Sequence, residues 1–351
     1  MNFTRESVFI SATRCFCNAF AVVLGVFLAV VAVFIGVMML SNPEIMPNKT
    51  ELVVAPDANG SRTLLHESTP AILRINIHGV IGEGSLTTEN IQNVLLDSRD
   101  DLLKHNRVKA IFLHMNTPGG TVTDSNGIYQ LLMNYKKTYN VPIYAFVDGL
   151  CASGGMYICS AADKIYATSP SIIGSVGVIL GPSFNFSEAM EKIGVQACTI
   201  TQGKDKDMLN PFRPWVPGEQ QSLMDITHSL YMQFVDIVVS GRKELDKDKL
   251  INEYGAQVYV ADQAHEYGYI DVPDTSYSVA LKDLVTAAGI AEPQAYQVVQ
   301  LEMPSSLLQS LIQSKSALFT GKLTHVFQIA PGMSSELSGK FLYLYQPQPA
   351  L

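Results

Sequence analysis

The sequence has few cysteines and few charged residues for its length. Its 351 residues include five cysteines, an odd number without a C-x-x-C pair, at positions 15, 17, 151, 159 and 198. Such a set predicts neither a disulfide framework nor a zinc site. We expect all five to act as small apolar side chains. Charged residues make up 16% of the chain, and no run of like charge is long enough to predict an interaction tail.

Clustered basic residues are also lacking. The formal net charge is −8, whereas nucleic-acid binding needs a basic face that neutralises phosphates. The sequence therefore argues against nucleic acid as a main partner. It contains no internal repeat with a fixed period and no nucleotide-binding motif, and we expect neither a metal nor a cofactor.

Apolar residues, by contrast, are abundant and make up 47% of the chain. Residues 19–40 contain no charged or strongly polar side chain, and a helix of about 20 such residues crosses about 30 Å of hydrocarbon. The run ends in MLSNP rather than at a small-x-small cleavage site, which favours an uncleaved anchor over a signal peptide. Arg5 and Arg14 precede it, so the positive-inside rule predicts a cytoplasmic N-terminus with the rest of the chain on the far side.

Changes in composition divide the chain into five predicted segments. Residues 1–18 would form a cytoplasmic N-terminus and residues 19–40 the transmembrane anchor. Residues 41–68 are rich in Pro, Asn, Ser and Thr and lack periodicity, which predicts a linker. Residues 69–291 would form the main domain. The pattern weakens over residues 292–351, which we interpret as a C-terminal extension of unknown role.

Short β-rich runs alternate with helical segments through the main domain. Strands are predicted at AILRINIHGVI, VKAIFL, VPIYAFV and KIYA, with helical spacing between several of them. A further strand is predicted over residues 195–200, ahead of a long amphipathic helix over residues 217–242. This alternation predicts βαβ units, and hence an α/β fold with a parallel sheet covered by helices.

A serine follows one of these strands directly. VPIYAFV leads into DGLCASGG, which places Ser153 at the carboxyl end of a strand, where ligand sites of parallel sheets cluster. The glycines after it would expose amide N–H groups, and a helix N-terminus adds partial positive charge for an oxyanion. An ordinary N-cap serine would share this context. Cys151, at the first position of G-x-S-x-G, disfavours an α/β-hydrolase.

Paired glycines follow another predicted strand, in the sequence NTPGG at residues 116–120. They would leave bare backbone where a peptide can approach. The N–H groups of Gly120 and Gly154 would then make a two-donor oxyanion hole, and losing one such donor typically raises a barrier by about 2.7–4 kcal/mol. A plain loop would explain these glycines equally well.

The residues alone leave the general base open. No histidine shares a motif with an aspartate, although His78 and His114 lie at strand ends near the predicted site. A lysine can act as the base for a serine when burial favours its neutral form. Lys204 and Lys206, in the loop GKDKD, have the same parity along an extended chain, so periodicity does not choose between them. The sequence SGRK at residues 240–243 fits S-x-x-K but lacks the partner motifs of that class.

Five segments, in order, resemble the signal peptide peptidase A (SppA) family in its short, single-domain form. They lie between residues 69 and 271 and read NTPGGTVTDS, ASGGMYICSAADKIYA, IIGSVGVI, GKDKDMLNPFRPW and VYVADQAHEYGYID. The resemblance implies a ClpP/crotonase-like fold of repeated ββα units and a serine–lysine dyad.

The position of each motif implies the role of its residues. The resemblance implies that Ser153 is the nucleophile and that Lys206, of the two loop lysines, is the general base. It further implies that Ser175, in GSVGV, hydrogen-bonds the lysine amine, and that Gly120 and Gly154 bind the oxyanion.

The family also forms dome-like oligomers in which the lysine of one protomer meets the serine of a neighbour. The resemblance therefore implies a homo-oligomer with a shared dyad. Thr117 and Met156 differ from the residues common at their positions in the family. Neither change removes a catalytic atom, so we expect them to affect only the shape of the pocket.

Anchor and resemblance together predict a serine endopeptidase of the bacterial inner (cytoplasmic) membrane, active on the extracytoplasmic side and anchored in lipid. Its substrates would be peptides, namely remnant signal peptides or misfolded membrane-protein segments. One alternative is a proteolytically silent oligomeric scaffold on the same fold, which the intact motifs disfavour. Another is a crotonase-type acyl-CoA enzyme, which the anchor and the missing nucleotide-binding signals disfavour.

Overall fold

The computed structural model describes residues 8–40, 49–291, 295–303 and 340–345. Contacts divide the chain into two units, Met1–Asn48 and Lys49–Leu351. In the first unit, helix α1 (Val8–Leu40) contains an apolar window, Ala12–Val33, with a mean hydropathy of 2.6. None of that window is buried, and by length and composition it could cross a membrane.

The second unit is built of alternating strands and helices. In chain order these are β1 (Glu51–Val54), β2 (Ala71–His78), α2 (Thr88–Asp97), a 3₁₀ turn (Asp101–Leu103), β3 (Val108–Thr117), β4 (Gly119–Thr121), α3 (Val122–Tyr139), β5 (Ile143–Ala152), α4 (Gly154–Cys159), β6 (Lys164–Ala167), β7 (Ile172–Gly174), α5 (Ser187–Lys192), α6 (Gln221–Gly241), α7 (Lys247–Lys249), a π-helical turn (Leu250–Tyr254), β8 (Val258–Val260), α8 (Ala261–Glu266), α9 (Tyr277–Ala287), β9 (Gln297–Glu302) and β10 (Leu342–Leu344).

The main sheet has the order β1-β9-β2-β3-β5-β7-β8, and β6 also pairs with β5. Its centre is parallel, because β9, β2, β3 and β5 run in the same direction, while β1 and β8 are antiparallel at its edges. The segment β3-β4-α3 forms a strand–strand–helix unit, and β4 pairs with β10 in a second, two-stranded sheet. The predicted α/β fold, with a largely parallel sheet covered by helices, is confirmed.

The central strands are apolar because both faces of the sheet are covered. Residues that alternate along β3 belong to two different clusters. Ile111 and Leu113 pack on the face that also holds Tyr157 and Phe234, whereas Phe112 packs on the face that holds Leu281 of α9. The carboxyl ends of the central strands, where the chain turns into α3 and α4, lie at one edge of this sandwich.

The predicted segment boundaries at residues 68 and 292 are wrong. β1 lies within the predicted linker and pairs antiparallel with β9, which lies within the predicted C-terminal extension and is also parallel to β2. β10, from the same extension, pairs with β4. These short strands gain their hydrogen bonds from partners far away in sequence, so local composition does not reveal them.

The strand predicted over residues 195–200 is also wrong. The chain there is irregular, with Ile200 94% exposed and Val195 48% exposed. Within the described residues no neighbouring strand offers hydrogen-bond partners to this segment. Apolar alternation without a partner strand is therefore not enough to form a sheet.

Candidate active site

Ser153 lies in the sharp turn that joins β5 to α4. Its backbone is left-handed, with φ 55° and ψ −116°, and its N–H donates to the carbonyl oxygen of Gly174 at 2.8 Å. The hydroxyl makes no capping hydrogen bond to α4, although the residue is only 1% exposed. The ordinary N-cap interpretation of this serine is therefore not supported.

Gly119 and Gly120 lie beside this turn. A Cβ built on Gly119 would be 2.7 Å from the amide nitrogen of Gly154, and Gly120 forms a parallel bridge with Ile81. Thr117 fixes the position of Gly119 relative to Gly79, because its hydroxyl donates to the carbonyl oxygen of Gly79 at 2.6 Å and accepts from the N–H of Gly119 at 3.0 Å. A serine could make the same two hydrogen bonds, so the threonine preserves the turn.

Ser175 reaches the same edge through the pairing of β7 with β5. Ala152 is in register with Gly174, so the residues that follow them, Ser153 and Ser175, are neighbours. Ser175 has φ 55°, is buried, and donates its N–H to the carbonyl oxygen of Gln257 at 2.7 Å. Four of the five predicted site residues are thus close together.

Lys206 is the exception. It lies in a turn after Gly203, whose carbonyl oxygen accepts its N–H at 3.3 Å, and its side chain is exposed. Within the described part of the chain, its amine makes no hydrogen bond or ion pair with Ser153 or Ser175. Lys204, in the same turn, is exposed as well.

An ion cluster next to Lys206 holds this turn in place. Arg213 donates through Nε to Asp207 at 2.9 Å and through Nη1 to Glu219 at 2.8 Å. Glu219 also accepts the N–H of Leu209 at 3.0 Å. The hydrogen bond from Arg213 lowers the pKa of Asp207, so the carboxylate stays ionised and paired.

The histidine alternatives lie on the other face of the sheet. His114 alternates with Met115 along β3 and shares the face of Phe112, where His78 and Arg74 contact its Nδ1 at 3.0 and 2.8 Å. Burial and these two neighbours lower the pKa of His114 to about 3. Ser153 directly precedes α4, which packs on the opposite face, so neither histidine is placed to act as its base.

The described residues contain no cluster of three or more His, Cys, Asp or Glu side chains arranged for a metal ion. Cys151 and Cys159 are buried against each other with their sulfur atoms 3.4 Å apart. The hydrogen bond to Cys159, together with burial, raises the pKa of the Cys151 thiol, which therefore stays protonated.

One element at this edge, β10, was not predicted from the sequence. β10 pairs with β4 along Gly119–Thr121, and Tyr343 is in register with Gly120. Its sequence, FLYLY ahead of a proline, alternates large apolar residues and is typical of a short strand. That pattern could have identified the strand but not its partner.

The chain is similar to known peptidases. Peptidase family S49 matches residues 135–289, a range that includes Ser153, Ser175 and Lys206. A putative signal peptide peptidase SppA of Enterococcus faecium is 33% identical over 210 residues, which are 58% of this chain and 60% of that protein. A putative protease of Synechocystis sp. is 31% identical over 249 residues, or 71% of this chain and 85% of that protein.

Among solved structures, a ClpP1 variant from Listeria monocytogenes has a TM-score of 0.39 and 15% sequence identity, covering 59% of this chain and 94% of that one. The chain spans about 60% of the length of its Enterococcus relative. Fold and site define an α/β domain with a serine on a strained turn beside paired glycines. The chain belongs to the SppA family of peptidases, family S49.

Proposed function

We propose that this protein is a membrane-anchored serine endopeptidase that uses Ser153 as nucleophile and Lys206 as general base. The observation that carries the proposal is the juxtaposition of Ser153 with the backbone of Gly119, Gly120 and Gly154 in a chain of a peptidase family. A hydroxyl and two amide N–H groups at one point are what acyl transfer requires.

The proposed reaction proceeds through an acyl-enzyme. The Ser153 oxygen attacks the peptide carbonyl carbon while neutral Lys206 takes the hydroxyl proton, and the N–H groups of Gly120 and Gly154 stabilise the oxyanion. Lys206 then gives the proton to the leaving amine. A water molecule, deprotonated by the same lysine, releases the acyl group. Ser175 would orient the lysine amine.

The single chain does not bring the base to the nucleophile, which supports a dyad shared between protomers. A base must lie about 3 Å from the hydroxyl it deprotonates, and the exposed Lys206 makes no contact with Ser153 within the described residues. A neighbouring copy of the chain would supply the lysine and also bury it, which favours its neutral form. The active form would then be a homo-oligomer.

The proposed substrates are apolar peptides, such as remnant signal peptides or misfolded membrane-protein segments. A cavity of about 720 Å³ lies between the segment that contains Val178 and Ile179 and one side of α6. The residues of α6 that line it include Leu223, Met224 and Tyr231. Its lining is mostly apolar. The apolar helix α1 is compatible with an anchor in the inner membrane, which would keep the enzyme close to such substrates.

Single substitutions test this proposal. Ser153→Ala and Lys206→Ala should each lower kcat for an apolar peptide by roughly 10⁴-fold or more, because each removes an atom that the reaction requires. Ser160→Ala and Lys204→Ala are matched controls and should retain activity. A serine-directed phosphonate should label the wild-type chain at Ser153. Full activity in Lys206→Ala would contradict the dyad, and absence of labelling would favour the silent scaffold.

A further inference from the structure

β5 changes its partner strand shortly before the nucleophile turn. Its first half pairs with β6 as far as Val147. Its last three residues pair instead with β7 and end with Ala152 opposite Gly174. Ser153 and Ser175 directly follow that last pair, so they are neighbours only because β5 exchanges β6 for β7 after Val147.

A bulge in β5 lies at this change of partner. Met115 of β3 pairs with Val147 of β5. The next pair along the two strands is Thr117 with Cys151, so β3 supplies one residue where β5 supplies three, residues 148–150. Bulges bend a strand, interrupt its pairing and re-aim the side chains that follow. The two extra residues therefore set the position at which β5 enters the turn to α4.

Ser171 holds the bulge from the side of β7. Its hydroxyl donates to the carbonyl oxygen of Val147 at 3.0 Å and accepts the N–H of Gly149 at 3.3 Å. The hydroxyl of Thr168 lies 2.7 Å from the same oxygen atom, and the N–H of Thr168 also donates to Val147 at 3.1 Å. Ser171 is fully buried, so solvent does not compete for these contacts. One hydroxyl thus joins the end of the β5–β6 pairing to the bulge.

Asn116 holds the bulge from the side of β3. Its side-chain oxygen accepts the N–H of Leu150 at 3.2 Å, while its backbone oxygen accepts the N–H of Gly79 at 3.0 Å. Gly149 passes close to this amide, because a Cβ built on Gly149 would lie 2.9 Å from the Asn116 side-chain oxygen. The bulge takes the N–H groups of Gly149 and Leu150 out of the ladder with β3, and the two flanking side chains provide their acceptors.

We propose that Ser171 and Asn116 are positioning residues for the reaction, because their hydrogen bonds to the β5 bulge place the Ser153 hydroxyl beside Ser175 and the oxyanion donors. Each acts through the backbone of β5, since its hydrogen bonds reach that strand at residues 147–150, ahead of the nucleophile. A displacement of about 1 Å in an active site can lower a rate about 10²-fold. This role rests on the proposed peptidase function.

Matched serine variants test the role of Ser171. In the full chain, Ser171→Ala should lower kcat for an apolar peptide about tenfold or more, and the rate constant for labelling Ser153 by a serine-directed phosphonate should fall equally. KM should stay within about twofold, because Ser171 does not line the cavity that we assign to the substrate. A folded Ser171→Ala variant with wild-type kcat and labelling would overturn its role.

Ser98→Ala is the control for the loss of a buried hydroxyl. Ser98 is also fully buried, and its hydroxyl contacts the carbonyl oxygen of Leu95 at 2.7 Å and the hydroxyl of Tyr135 at 2.8 Å, at the end of α2. This variant should lose thermal stability but keep kcat and the labelling rate. An equal loss of kcat in Ser98→Ala and Ser171→Ala would show a general structural effect and overturn the positioning role.

Two substitutions of Asn116 test the other side of the bulge. Asn116→Leu removes the acceptor at similar size and should lower kcat and the labelling rate about tenfold. Asn116→Asp keeps an oxygen that accepts the N–H of Leu150, so it should retain most of the activity. Equal losses in both variants, or full activity in a folded Asn116→Leu chain, would overturn the role of Asn116. Because Ser171 and Asn116 hold the bulge from opposite sides, misfolding of one variant, detected by circular dichroism, leaves the other to decide.

Hydrogen exchange tests the same contacts without relying on activity. The amide of Gly149 should exchange about tenfold faster in Ser171→Ala than in the wild type, and the amide of Leu150 about tenfold faster in Asn116→Leu. Asn116→Asp should keep the Leu150 amide protected. Unchanged exchange of both amides in every folded variant would overturn the proposal.

The wild-type chain separates this role from the proposed function. If it neither reacts with the phosphonate nor hydrolyses peptide, the proposed function fails and the positioning role fails with it. If the wild type is active and the folded Ser171→Ala and Asn116→Leu variants are equally active, the function stands and the positioning role is overturned.

Discussion

At the scale of single residues, the backbone of Ser153 is strained. A non-glycine residue with φ 55° and ψ −116° lies outside the regions that L-residues favour, and such a conformation costs on the order of 1–3 kcal/mol. The hydrogen bond from the Ser153 N–H to the carbonyl oxygen of Gly174, at 2.8 Å, holds the turn in this conformation.

Substitution at Ser153 should reveal this strain. Both Ser153→Gly and Ser153→Ala remove the hydroxyl, but only glycine adopts the left-handed backbone freely. The free energy of unfolding of Ser153→Gly should therefore be about 1 kcal/mol higher than that of Ser153→Ala. Urea denaturation of the two variants measures the difference. Ser160, with φ −64° on the same helix, is the control, where glycine should be the less stable of the pair. If the glycine and alanine variants ranked in the same order of stability at both positions, this would argue against strain at Ser153.

His114 should make stability depend on pH. Burial, Arg74 and His78 lower its pKa in the folded state to about 3, below about 6.5 in the unfolded chain. Between these two values the unfolded chain binds more protons, so the free energy of unfolding falls as the pH falls. From pH 6.5 to pH 5 the loss should be about 2 kcal/mol, since one pKa unit corresponds to about 1.4 kcal/mol.

The variant His114→Asn isolates this contribution. Its side-chain oxygen can still accept the hydrogen bond from Arg74, which reaches His114 Nδ1 at 2.8 Å, but it does not titrate. Denaturation between pH 5 and pH 7 should show a shallower decline for this variant than for the wild type. Identical slopes would mean that His114 is not the group responsible.

At the scale of elements, the turn that carries Lys206 depends on the ion cluster of Arg213, Asp207 and Glu219. Arg213 contacts both carboxylates, so Arg213→Ala should release the turn and lower kcat about tenfold or more. Arg213→Lys should lower kcat less than Arg213→Ala, because lysine keeps the charge but cannot pair with both acids in the same geometry. Arg62→Ala, at an exposed arginine, is the control. Unchanged activity in Arg213→Ala would show that the turn is ordered by other contacts.

The central elements could be predicted from the sequence, and the edge elements could not. β2, β3 and β5 are long apolar runs followed by helical patterns. The apolar pattern of each strand and the segment that follows it therefore predict the same strand–helix unit. β1, β9 and β10 have three to six residues each and depend on partners far away in sequence. At residues 195–200, by contrast, a strand is predicted but not formed. The sequence pattern there resembles a strand, although no partner strand is present among the described residues.

The site divides in the same way. The order of strands in a parallel sheet brings Ser153, Ser175 and the paired glycines to one edge, as expected for residues that follow neighbouring parallel strands. Lys206 depends on a long irregular segment, and no rule of strand order fixes its position. Its role remains a proposal that comes from the motif and from the family.

At the scale of the whole molecule, an exposed Lys206 and a buried Ser153 fit an enzyme that is completed by association. Heterologous contacts that close into a ring present the same surface of each protomer to the next, so every serine would meet the lysine of one neighbour. Assembly would then also control activity, because a free protomer would lack a base.

The measurement that tests the central claim most directly is peptide hydrolysis by oligomers that mix Ser153→Ala and Lys206→Ala chains. Each variant alone should be inactive. After co-expression in equal amounts, a serine from one chain meets a lysine from the other in roughly a quarter of the sites of a closed ring, and activity should return to about that fraction of the wild-type value. Mixed oligomers that remain inactive, while wild-type oligomers cleave the peptide, would contradict a dyad shared between protomers.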